Sequence, residues 1–246
     1  MTGQLVDLVI VEDYPALSRR GADWLVDAIQ TKPDAAIVAA TGDTPMGVYR
    51  ELAERRSRGL IDTSRLRAFQ LDAYLGLAPD DRRSLFGWMR RSFIEPLGIA
   101  EENIIRLAGE AADRWEACRA YDEAVRAMGG FDISILGLGP NGHLGFNEPP
   151  SSADAPTRVV DLSPESIISN ARYWGGEDQV PRQALTCGMD LLLSARRTLL
   201  VVSGVHKHEI LHRSIEGPQT PNVPASYLQS VSHVTVLADR AAWQGL

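Results

Sequence analysis

Short, nearly unbroken apolar runs alternate along the chain with longer stretches in which apolar residues recur every three or four positions. The first pattern fits strands buried on both faces, the second amphipathic helices. It predicts strands at Leu5–Val11, Ala35–Ala40, Leu66–Leu71, Ile104–Leu107, Phe131–Leu138, Thr157–Asp161, Thr198–Ser203 and His233–Ala238. Helices are expected at Tyr14–Thr31, Met46–Arg58, Ser84–Glu95, Ala112–Met128, Pro181–Ala195 and His206–Ile215, with Pro164–Tyr173 either helical or mobile. Pro96 and Gly98 are expected to end the third helix, and Pro181 to open the fifth at its first turn. Strand alternating with helix predicts an α/β fold: a Rossmann-like, mostly parallel sheet covered by helices on both faces. No linker, repeat or low-complexity tract divides residues 1–246, so a single domain is expected. The least regular stretch, Asn147–Pro156, is either functional or mobile.

Composition narrows the function classes. Lys plus Arg number 25 against 32 Asp plus Glu, a net charge of -7. A general nucleic-acid binder shows the opposite balance, so no nucleic-acid partner is expected. A small anionic substrate stays open if a few local cations offset the global sign. No apolar run reaches membrane-spanning length, and the N-terminus lacks the basic segment and cleavage site of a signal peptide. The two cysteines, Cys118 and Cys187, lie in helical-looking stretches and read as buried packing residues. A cytoplasmic protein fits these features.

In open parallel sheets, ligands bind beyond the carboxyl ends of the strands. Four such ends carry unusual loops: Thr41–Pro45, Asp72–Tyr74, Gly139–Glu148 and Ser203–Lys207. The handedness of the fold brings all four to one rim. Thr41, Gly42, Asp43 and Thr44 precede Pro45 and a helix, a setting in which free N–H groups wrap an anion. The plainer reading is a strand–helix turn with Thr44 as N-cap. Asp72 follows a buried strand and is either a general base tuned by burial or a turn residue.

The stretch GLGPNGHLGFNEPP is the most specific. Gly137, Gly139 and Gly142 fit the spacing of a dinucleotide fingerprint, but no long helix is expected to follow, which argues against a nicotinamide or flavin cofactor. The glycines are expected instead to let backbone approach a ligand. His143 and Glu148 are close enough in sequence for the carboxylate to set the tautomer of the imidazole. The alternative is a histidine that bonds only backbone. Lys207 at a strand–helix junction opposes the helix dipole, which hints at an anionic partner, and Arg172 can grip phosphate with two hydrogen bonds. Either can equally be a surface charge. His208-Glu209-Ile210-Leu211-His212 spells the zinc-protease pattern H-E-x-x-H, but on a short helix that Gly217-Pro218 ends soon after. A solvated helix face is the preferred reading, and no metal is expected.

Together these stretches resemble the glucosamine-6-phosphate deaminase family, within a broader group that includes 6-phosphogluconolactonases. The resemblance rests on TGDTPMGVYREL, FQLDAYLGL, GGFDISILGLGPNGHLGFNEPPSS, TRVV, SNARYW, VPRQALTCGMDLLLSA and SGVHKHEIL…EGP…VPASYLQ. They run in family order from about Val38 to Gln229. GHLGFNEP is specific for the deaminase branch; a lactonase would carry a GHTASLFP-like run there.

The resemblance implies isomerisation of an amino-sugar phosphate to a ketose phosphate with loss of ammonia, and no cofactor. It implies that Asp72 moves a proton between C2 and C1. His143 assists ring opening at O5, with Glu148 as its orienting partner. The TGDTP loop, Arg172 and Lys207 cradle the phosphate, and residues 156–180 form a mobile lid. Two departures stand out. Ala73 replaces the glutamate of many relatives, and Asn141, which can bond His143, replaces their aspartate. Ala73 keeps open another hexosamine phosphate, or a sensor that binds sugar phosphate without turning it over. A homo-oligomer is also left open, because family members range from monomer to hexamer.

Overall fold

The structure, a computed structural model, describes residues 6–245. Leu5, read as the start of the first strand, and the N-terminal residues weighed as a signal peptide before Val6 lie outside that range. Seven strands form the main sheet: β1 (Val6–Val11), β2 (Ala36–Ala39), β3 (Arg67–Gln70), β5 (Ile104–Ile105), β6 (Ile133–Gly137), β9 (Arg197–Val202) and β10 (Val234–Asp239). Their order is β1-β10-β9-β6-β2-β3-β5, and every neighbouring pair is parallel. The sheet is therefore buried on both faces, which explains the unbroken apolar runs. Along β2, Ala36 and Val38 join one hydrophobic core while Ile37 and Ala39 join the other.

Helices α1 (Tyr14–Thr31) and α2 (Asp43–Ser57) cover one face together with a broken helix, α3 (Leu85–Met89) and α4 (Glu95–Leu97). Their apolar stripes meet Ile37, Ile135, Leu199 and Leu237 there. Helices α5 (Arg114–Ala127), α8 (His208–Ile215) and α9 (Arg240–Gln244) cover the other. The helix predicted over Ser84–Glu95 runs on to Leu97, with a π turn at Arg90–Ile94 between α3 and α4. Pro96 supplies no N–H and crowds the preceding turn, so the widened turn is a local accommodation. Gly98, at φ 59°, ends the segment.

One prediction fails. Pro181–Ala195 is not a helix: it is strand β8 (Gln183–Thr186), then Cys187 and Gly188, then the short helix α7 (Met189–Leu193). Strand β8 is the centre of a second, antiparallel sheet, flanked by β4 (Asp72–Tyr74) and β7 (Arg158–Asp161). Partners more than a hundred residues away in sequence override the local helical pattern. Cys187 consequently lies past a strand, not in a helix, although both cysteines are buried as expected. Gly188 is obligatory at the break, because a Cβ there would lie 2.5 Å from the carbonyl carbon of Pro156.

The direction of chain progression reverses between β2 and β6. From β2 the chain proceeds to β3 and β5 on one side; from β6 it proceeds to β9 and β10 on the other. The loops after β2 and β6 therefore diverge and leave a crevice, the usual place for a ligand in such sheets.

Candidate active site

A cleft of about 740 Å³ opens at this switch point. Thr41, Gly42, Asp43 and Thr44 line it after β2, and Asp72 lines it after β3. Gly137, Gly139 and His143 line it after β6, and Ser203, Gly204 and Lys207 after β9. All four loops singled out in the sequence thus converge on one cavity. Helix α6 (Pro164–Trp174) lines one side of the cavity, contributing Ser166, Asn170, Arg172 and Tyr173.

Asp72 is buried, and no protein donor reaches its carboxylate among the described residues. Burial pushes its pKa up to about 7. Around it the backbone is clamped: Gln70 Nε2 donates to Asp72 O at 2.8 Å, Tyr121 Oη donates to Gln70 O at 2.7 Å, and Cys187 N donates to Leu71 O at 2.9 Å. Strand alternation turns Ala73 to the opposite side, where its Cβ stands against Gly109. The glutamate of many relatives is therefore replaced at a position that does not line the cleft.

His143 is held by a polar network behind the cleft wall. Its Nδ1 lies 3.2 Å from Glu148 Oε2 and 3.3 Å from Ser166 Oγ. Asn141 Nδ2 donates to the same Glu148 oxygen at 2.8 Å and to Ser163 Oγ at 3.1 Å. Burial disfavours the charge of Glu148, but the histidine beside it, with Ser166 and Asn141, outweighs that and holds its pKa down to about 2. Asn141 thus supports the carboxylate more directly than the imidazole; its Oδ1 only accepts from the backbone N–H of His143, at 3.3 Å. Nε2 of His143 has no protein partner among the described residues. Glycines make this packing possible in a way that differs from the expected ligand approach: a Cβ on Gly139 would sit 2.2 Å from the imidazole, and one on Gly142 would strike Val223 at 2.7 Å. Gly137 alone keeps open space above it.

The irregular stretch after Glu148 does not line the cleft and is tied down by hydrogen bonds. Half-buried Arg158 of β7 donates to Asn147 Oδ1 at 2.8 Å and to Ser151 Oγ at 2.7 Å. Asn147 Nδ2 in turn donates to Cys187 O at 2.8 Å and Leu144 O at 2.9 Å. This lattice anchors Glu148 to the small sheet.

The opposite pole of the cleft is cationic. Helix α2 begins at Asp43, earlier than expected, so its N-cap is Gly42 at φ 102° and not Thr44. No side chain caps it, which leaves its first N–H groups facing the cavity. Lys207 Nζ donates to Leu138 O at 2.7 Å, and burial, helped by Arg172, lowers its pKa to about 8. Arg172 Nη2 is 3.0 Å from Asp43 Oδ2. Asp43 is therefore the partner of the arginine, while the backbone of its loop is the anion-facing part. His206, Tyr173 and Trp88 also line the cavity. Their only sequence signals are neighbourhood to Lys207 and Arg172 for the first two, and none for Trp88.

Of the H-E-x-x-H pair, His212 is engaged elsewhere, while His208 Nδ1 has no partner among the described residues. His212 stacks on Trp243 with centroids 4.2 Å apart, and its ring nitrogens face Glu216 Oε2 at 2.7 Å and Trp243 O at 3.0 Å. Among the described residues no cluster of three metal-ligating side chains occurs, and no helix is long and apolar enough to cross a membrane.

Comparison with known proteins agrees with this architecture. Residues 14–237 match the family described as glucosamine-6-phosphate isomerases/6-phosphogluconolactonase. A glucosamine-6-phosphate deaminase of Thermoanaerobacter sp. (strain X514) is 38% identical over 235 residues, covering 96% of this chain and 93% of that one. The solved structure of a monomeric glucosamine-6-phosphate deaminase superposes with a TM-score of 0.93 at 38% identity, covering 96% of this chain and 98% of that one. The 6-phosphogluconolactonase of Trypanosoma brucei shares the fold, with a TM-score of 0.81 at 18% identity over 99% of this chain and 100% of that one. By its sequence, its sheet order and the loops gathered at its switch point, the chain belongs to the glucosamine-6-phosphate isomerase/6-phosphogluconolactonase family.

Proposed function

We propose that this protein is an amino-sugar-phosphate deaminase that converts glucosamine 6-phosphate and water to fructose 6-phosphate and ammonia. One observation carries the reading. An undonated carboxylate, an imidazole backed by a carboxylate and a cationic pole share one cleft with room for a phosphosugar. Mere retention of a ligand has no use for the first two.

In this reading the phosphate sits against the N-terminus of α2, Lys207 and Arg172, which supply remote binding energy for the reacting end. Nε2 of His143 takes the proton of the anomeric hydroxyl and returns it to O5 as the C1–O5 bond breaks, leaving an open-chain aldehyde. Glu148 steadies the imidazolium meanwhile. Asp72 then removes the proton from C2, which the aldehyde has made acidic, and delivers it to C1. The resulting C2 imine adds water and expels ammonia. A carboxyl held near neutrality by burial suits both taking and giving that proton. Residues 156–180 act as the lid of a single domain, and the substrate is a small phosphosugar, with no nucleic acid or membrane involved.

The test is an ammonia-release assay over hexosamine 6-phosphates. Ketose phosphate and ammonia in equal amounts from glucosamine 6-phosphate support the reading; tight binding of every member without turnover sinks it.

A further inference from the structure

The first turn of α6 belongs to an element that lines one side of the cleft, yet its polar groups are built into the His143–Glu148 pair. Ser163 caps the helix by accepting from Ser166 N at 3.2 Å, and its own N–H points at Glu148 Oε1 from 3.4 Å. Ser166 is fully buried, at 0% exposure, and its hydroxyl stands 3.3 Å from His143 Nδ1. With Glu148 ionised, both neighbours of Nδ1 are acceptors or able to accept. That arrangement retains the proton on Nδ1 and leaves Nε2 bare toward the cleft. The other end of the same helix holds Arg172 against Asp43 of the phosphate loop.

We infer that Ser166 is a positioning residue through which this helix sets the tautomer and direction of His143, so that ring opening proceeds only while α6 is seated. The inference rests on the proposed deaminase reading, in which His143 moves the anomeric proton. It goes further by naming how a residue that never contacts the reacting atoms reaches them. The hydroxyl shares the Nδ1 proton with Glu148, so its loss leaves one acceptor where there were two and frees the ring to rotate about its side-chain bond. Arg172 meets Asp43 of the phosphate loop while the first turn of the same helix presents Ser166 to the imidazole, so one rigid element touches both poles. The two poles are thereby linked through the helical segment from Ser166 to Arg172.

The experiment compares Ser166→Ala and Ser166→Thr with the parent enzyme. The alanine variant is expected to lose ~10-fold in kcat with KM for glucosamine 6-phosphate within about twofold, a modest part of what an acid–base group contributes. Threonine, which keeps the hydroxyl, is expected to recover most of it. Nitrogen NMR of labelled histidine, recorded without substrate, reads the tautomer directly. Parent and threonine variant are expected to show a protonated Nδ1 and bare Nε2 at His143, and the alanine variant a mixture. An alanine variant with the parent's kcat and the parent's tautomer overturns the inference. So does a threonine variant as slow as the alanine one, since packing alone would then explain the loss. Because the NMR needs no turnover, it judges Ser166 even if no hexosamine phosphate proves to be a substrate, which would count against the proposed function instead.

Discussion

At the scale of single residues, the cleft is governed by what burial does to charge. Asp72 must be ionised to take a proton, and its pKa is raised to about 7. Lys207 must be protonated to hold phosphate, and its pKa is lowered to about 8. The pH profile of kcat/KM is therefore expected to rise with pH up to about 7 and to fall above about 8. Lys207→Ala should raise KM chiefly and remove the basic limb; an unchanged KM would take the lysine out of the cradle. Asp72→Asn should lower kcat by ~10²–10⁴-fold with affinity changed only several-fold, because binding is carried at the other pole. The same substitution has a second signature. The folded pKa of Asp72 lies above its unfolded value of about 4, so the carboxyl costs stability increasingly between about 4 and about 7 and fully above that. Thermal melts should show Asp72→Asn more stable than the parent at pH 8 and no different at pH 4; equal melting at both would mean the carboxylate is better solvated than its burial indicates. Asp72 and Lys207 stood out in the sequence because they follow buried strands, and His143 and Glu148 because they share a glycine-rich loop. The structure brings all of these but Glu148, and Arg172, into one cleft lining, while the roles proposed for them come from the family resemblance. Ser166 was not legible: a serine inside a helix carries no signal until the helix is folded over His143.

At the scale of elements, the stretch between Glu148 and Thr186 is where reading from sequence ran out. The main sheet is self-announcing, since strands buried on both faces are uniformly apolar. Strand β8 is not, because it pairs with β4, far off in the chain, as well as with the nearer β7. Arg158 links these parts, and its half-buried guanidinium is the donor to both Asn147 and Ser151. Arg158→Ala should cost about 2–4 kcal/mol of stability by leaving Asn147 and Ser151 without their donor. It should also lower kcat, by loosening Glu148. Denaturant unfolding checks the first, and a variant as stable as the parent would show that water replaces the guanidinium at no loss. By contrast, the exposed pair between Arg172 and Asp43 is worth about 0–1 kcal/mol, so Asp43→Asn should leave stability unchanged within error.

At the scale of the whole molecule, a chain of net charge -7 presents a cationic pole inside its cleft. Overall repulsion of a phosphosugar dianion is offset only locally, where Lys207, Arg172 and the α2 terminus combine. Screening acts on both, but the short-range attraction inside the cleft is what binding depends on. Raising salt from about 0.05 to 0.5 M, across which the Debye length falls from over 10 Å to under 5 Å, should raise KM for the parent enzyme. The rise should be smaller for Lys207→Ala, and an equal rise in both would assign the effect to charges outside the cleft. The two extended cores on either side of the main sheet and the small aromatic cluster under α6, built on Tyr74, Phe146 and Ile167, are distinct. Most of the buried apolar surface thus lies away from α6.

Leu71 is the single residue between β3 of the parallel sheet and β4 of the antiparallel one. Asp72 accordingly stands on the seam of two sheets that share a core, the parallel one a chassis and the antiparallel one the mount beside the covering helix. Its aim at a substrate carbon is inherited from both. Descendants of such a chain are free to recontour the mount and explore new sugars, because the chassis, and the proton carrier bolted to its edge, need not be rebuilt.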